Sequence, residues 1–234
     1  MAAAVLSELR AHIDQVTARD LQYLPQVPDW GWFSRFRSLQ PEVAIPEIHH
    51  ILEECSCVAL LVERVTSLYC WFMSVQKIGP WSLFRLGDSA PHFDYHSLLI
   101  DISRAMQSLT VQPVFFGMLS YPGIHHGCII RNFIDPTTRT WETVFVVLWS
   151  GQRFAAASVK TKEQQQTLLT SLHVALSGES VELLDGLHAD LENAYRAGCR
   201  CPNMDGPALL RHDRDLSIAM RLLPNGHPLV QAEE

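Results

Sequence analysis

Apolar residues recur every three to four positions at the start of the chain. Leu6, Leu9, Ile13 and Val16 lead to Leu21 and Leu24, with Glu8, Arg10, Asp14 and Arg19 between them. A stripe of that period is the buried face of an amphipathic helix, predicted over residues 5–22 and ended by Pro25 and Pro28. The next segment, WGWFSRF from Trp30 to Phe36, is a short helix or hydrophobic strap whose four aromatics cap the core or, alternatively, form an exposed anchor for a partner. Pro46 followed by Glu47 fits the first turn of a helix reaching about Cys55. Residues 57–76 form the most apolar stretch. Their β-branched and aromatic content favours strands turning near Glu63 and Arg64, although the length also suits one buried helix.

The second half is more regular. Asp94 is placed to cap a helix through Leu109 whose stripe is Leu98, Leu99, Ile102, Ala105, Met106 and Leu109. Three strands are predicted at 112–120, 124–134 and 141–149, with Asp135 and Pro136 turning between the last two. Ser150 and Gly151 turn WETVFVVLW back into RFAAASV, a hairpin whose nearly continuous apolar run implies burial on both faces. Thr161 and Gln164 form a capping box for a helix over 162–177 that stops at Gly178. A second helix from Ser180 to Gly198 then turns Leu184, Leu187 and Leu191 toward Leu168, Leu169, Leu172 and Leu176. Beyond it CRCPNMDGP reads as loop, 209–223 as a short helix or strand, and 224–234 as a mobile tail.

These elements predict an α+β fold. It comprises a single domain over 1–223, with a mainly antiparallel sheet, an N-terminal helix, a central helix and a C-terminal helical hairpin packed on the sheet.

The 234 residues hold 47% hydrophobic and 18% charged positions, enough apolar material for a core and too little charge for disorder. A net charge of −7 without any long Lys/Arg run disfavours nucleic-acid binding, unless Arg35, Arg37, Arg64 and Arg85 converge in space. The six cysteines, Cys55, Cys57, Cys70, Cys128, Cys199 and Cys201, read as free thiols of a reducing compartment. The N-terminus lacks the basic and long apolar regions of a signal peptide, and Glu63 and Arg64 interrupt the one stretch approaching membrane-span length. A soluble intracellular protein, cytoplasmic or nuclear, is expected.

Several residue clusters suggest chemistry. In PHFDYH, His92 and Asp94 stand two apart, so on a strand both would reach one metal ion. The segment resembles the His-x-Asp arm of 2-oxoglutarate-dependent oxygenases, which implies Fe(II) as cofactor. The likeness covers six residues, and the distal His and Arg of that pattern have no counterparts at the expected spacing; Asp94 as a helix cap accounts for the same residues. In YPGIHHGC, His126 and Cys128 alternate onto one strand face beside His125. An imidazole there would lower a thiol's pKa and make Cys128 a nucleophile with His126 as base, while a buried strand cysteine is the other reading. Cys199 and Cys201 with His212, or His49, His50, Cys55 and Cys57, are candidate zinc sets, with one-residue gaps between cysteines where two are usual. Phosphate-loop, dinucleotide, GxSxG, HExxH and kinase motifs do not occur.

The functional expectation is therefore a non-catalytic subunit or adaptor with a protein partner and no cofactor, using Trp30, Trp32, Phe33 and Phe36 as contact residues. The alternatives are an iron- or zinc-dependent enzyme at His92 and Asp94, or a cysteine enzyme at Cys128 and His126. A nucleic-acid-associated factor is a distant third.

Overall fold

A computed structural model of the chain describes residues 3–24, 31–110, 113–134 and 139–201. The N-terminal stripe buries Val5, Leu9 and Ile13 on helix α1 (Ala3–Ile13). The single helix expected over 5–22 is two. Thr17 accepts a bond from the Asp20 amide, and Asp20 accepts one from the Thr17 amide, so this capping box starts a separate α2 (Ala18–Gln22). The part of WGWFSRF from Gly31 on forms α3 (Gly31–Ser34) and a 3-10 turn (Arg35–Ser38). Helix α4 (Pro41–Glu53) begins a turn earlier than Pro46 suggested, with Pro41 in its first turn.

The strands favoured at 57–76 do not form. Val58–Ser74 is one helix, α5, and every residue from Val65 to Ser74 is buried. A helix sandwiched between a sheet and other helices is apolar all round, so its sequence loses the amphipathic period that would have marked it.

Among the described residues the sheet has six antiparallel strands in the order β2-β3-β4-β5-β1-β6. They are β1 (Ser82–Arg85), β2 (Val114–Tyr121), β3 (Ile124–Ile134), β4 (Arg139–Trp149), β5 (Phe154–Ser158) and β6 (Glu182–Leu183). The predicted strands 112–120, 124–134 and 141–149 match β2, β3 and β4 to within two residues. Both faces of the sheet are covered, as the apolar RFAAASV hairpin required. Helices α1, α4, α5 and α8 (Leu191–Arg200) pack on one face with Cys128, Phe145, Phe154 and Ala156. Helices α6 (Tyr95–Thr110) and α7 (Lys162–Ala175) pack on the other with Ile129, Val144, Ala155 and Ala157.

The helical hairpin is revised in detail. Thr161 does cap α7 and Gly178 follows it at φ 87°. The chain then enters β6 against β1 and crosses to the opposite face before Asp190 caps α8. Both helices therefore pack on the sheet, but they do not face each other, and Leu187 is 70% exposed. Gly198 lies within α8, where the Phe154 ring occupies the space a side chain would need. The Asp135–Pro136 turn, the reading of 209–223 and the tail 224–234 lie outside the described residues.

Candidate functional site

Asp94 is the N-cap of α6. Its carboxylate accepts bonds from the Ser97 hydroxyl at 2.6 Å, the Ser97 amide at 3.2 Å and the His96 amide at 3.3 Å. The Ser97 bonds hold its pKa below the ordinary carboxylate value. His92 is exposed at the end of a 3-10 turn (Ala90–His92), so the pair does not share the strand geometry that a His-x-Asp metal arm needs. Among the described residues no group of three His, Cys, Asp or Glu side chains is placed to hold a metal ion. In the zinc candidates, His49 pairs with Asp14 at 2.8 Å, His50 with Glu54 at 3.3 Å, and the Cys55 thiol donates to the Cys57 carbonyl at 3.4 Å. His212 is outside the described residues.

His126 and Cys128 do share a face of β3, toward α5, and both are wholly buried. Burial raises the Cys128 thiol well above its ordinary pKa, and neighbouring Cys70 raises it further, so the thiolate is disfavoured. Desolvation lowers His126 to about 4, although the Leu119 backbone favours its charged form. Neither ring nitrogen makes a hydrogen bond of good geometry, and the Tyr121 ring meets the imidazole edge-on at 6.0 Å. The pair has neither the surface access nor the electropositive setting that activates a catalytic cysteine.

His125, pointing to the other face, joins a cluster that spacing along the chain did not suggest. Its two ring nitrogens meet the Ser120 hydroxyl at 3.0 Å and the Ser150 hydroxyl at 3.1 Å, and its ring stacks on Tyr95 at 5.5 Å. The Tyr95 hydroxyl accepts the Gly151 amide at 2.8 Å, and burial pushes its pKa up to about 12. Burial also lowers the His125 pKa, leaving a mainly neutral imidazole that fastens the β2–β3 turn to the β4–β5 turn. The visible hint was the hairpin itself, since Ser120 and His125 are cross-strand partners two residues from its turn.

The four aromatics divide. Phe33 and Phe36 are core residues, 5.9 Å apart, with Phe33 edge-on to Trp71 at 5.0 Å; they are not exposed anchors. Trp30 is outside the described residues. Trp32 is half-buried and lines a groove of about 430 Å³ between α3, α4 and α5, with Arg35, Ile51, Leu60 and Arg64. The Arg64 guanidinium lies 5.3 Å over the Trp32 ring and donates to the Ile51 carbonyl at 3.0 Å. Leu60 of the groove is 37% exposed, and Val58, also in the first turn of α5, is 57% exposed. The strand reading of residues 57–76 concealed them. Arg35 and Arg64 share the groove, with Arg35 paired to Glu47 at 2.5 Å. Arg85 is elsewhere, on β1 with Glu182 at 3.1 Å, so the four-arginine patch does not assemble.

No helix of the described residues is long and apolar enough to cross a membrane. None of the six cysteines is bridged. No protein-family model matches the chain, and no curated protein is similar to it.

Proposed function

We propose that this chain is a non-catalytic subunit or adaptor that works through protein contacts, with the Trp32 groove as its docking surface. The observation that carries this reading is an indole held half-exposed in one groove with Ile51 and the exposed Leu60. Arg64 lies over the Trp32 ring, and Phe33 stands beside it at 5.1 Å in the core. Trp and Arg are enriched at the energetic centres of protein interfaces, where they fill well-packed, desolvated pockets. Trp32, Ile51 and Leu60 grouped in one groove offer a partner more apolar contact than a single surface leucine does. The net charge of −7 weighs against a nucleic-acid partner for the chain as a whole.

A photoactivatable amino acid at position 60 tests the proposal in cells. A discrete cross-linked partner is expected. Leu60→Asp and Trp32→Ala, made separately, are expected to abolish its co-purification; Leu60→Asp is also expected to melt at the wild-type temperature. Partner capture unchanged in both variants would refute the groove as the docking surface.

A further inference from the structure

Among the described residues the sheet ends at β2, whose outer edge is hydrogen-bonded by no described backbone segment. All eight residues of this strand pair with β3, from Val114↔Arg131 to Tyr121↔Ile124, with no bulge. The two-residue turn at Pro122 and Gly123 makes Tyr121 and Ile124 a hydrogen-bonded pair. Alternation then turns the main-chain groups of Val114, Phe116, Met118 and Ser120 away from β3. Proteins normally blunt an edge of this length with charge, proline or a bulge, because unpaired strands template further pairing. VFFGMLSY carries neither charge nor proline. Val114, Phe115, Phe116, Met118 and Tyr121 are each only partly buried.

We infer that β2 is a dimerisation strand, and that its occupant is β2 of a second copy of this chain, running antiparallel to it. A two-fold axis normal to the sheet produces such a pair and joins two six-stranded sheets into one. The fullest overlap is centred on Gly117. It sets Phe116 opposite Met118 of the second copy and Val114 opposite Ser120, matching apolar with apolar at the centre. Two chains each carrying −7 would meet along a segment free of charge. A second copy also brings a strand already ordered between a sheet and two helices, whereas an extended peptide loses conformational freedom on docking. This surface is distinct from the Trp32 groove, and its test is independent of that reading.

Sedimentation velocity of the full chain across a range of concentrations should show a monomer–dimer equilibrium. Amide exchange should slow by roughly ten-fold or more at Phe116, Met118 and Ser120 as the dimer forms. Met118→Pro removes an outward donor without touching a β2–β3 bond, a position where edge strands tolerate proline, and it should give a monomer that melts close to wild type. A wild-type protein that stays monomeric overturns the inference. So does a dimer whose β2 amides exchange unchanged, or an edge protected only when an extended peptide is added. Should Met118→Pro fail to fold, the exchange measurement on the wild type decides alone.

Discussion

His126 should make the stability of this protein depend steeply on mildly acidic pH. Its ring is wholly buried, and desolvation lowers its pKa from 6.5 to about 4. In the unfolded chain the imidazole returns to about 6.5, so between pH 6.5 and 4 the unfolded state binds a proton that the folded state refuses. Stability from this group is complete above pH 6.5 and is lost as pH falls toward 4. The full shift corresponds to about 3 kcal/mol, and the loss at pH 4.5 to about 2.5 kcal/mol, at 1.36 kcal/mol per pH unit. His126→Leu removes the titrating group. It leaves no buried donor or acceptor behind, because neither ring nitrogen has a partner of good geometry. Urea unfolding followed by tryptophan fluorescence at pH 7.5 and pH 4.5 gives the difference between variant and wild type at each pH. That difference should move by about 2 to 3 kcal/mol in favour of the variant at the lower pH. His12 and His125, also lowered by burial, titrate in both proteins and cancel. A difference independent of pH would refute the reasoning.

Two further substitutions test the packing. Leu172→Ala should cost about 2 to 5 kcal/mol, because the side chain is fully buried under the sheet, whereas Leu187→Ala should leave the unfolding midpoint within error. Equal losses would place β6 and α8 wrongly. Glu142→Gln should destabilise by about 3 kcal/mol in the same assay, since Arg131 is 2% exposed and its guanidinium meets the Glu142 carboxylate at 2.7 Å. An unchanged midpoint would mean that the buried arginine does not depend on that charge.

The elements readable from sequence were those whose signals are local. The α6 cap at Asp94, the α7 cap at Thr161 and the turn-bounded apolar runs of β2, β3 and β4 each involve residues a few positions apart, and each stands within two residues of where the pattern placed it. Alternation likewise separated His125 from His126 onto opposite faces. It carried no information on what covers each face. Only packing against α5 makes His126 a buried neutral group, and only the β4–β5 turn turns His125 into a clasp. The same limit explains α5, whose burial on all sides erased its period, and α8, sent to the far face by the pairing of Arg85 with Glu182. It explains the aromatics too. Composition marked Trp32, Phe33 and Phe36 alike, but a helical turn directs neighbouring side chains about 100° apart. Which of them meets the core, and which is left at a groove under Arg64, is decided by how α3 lies against α5.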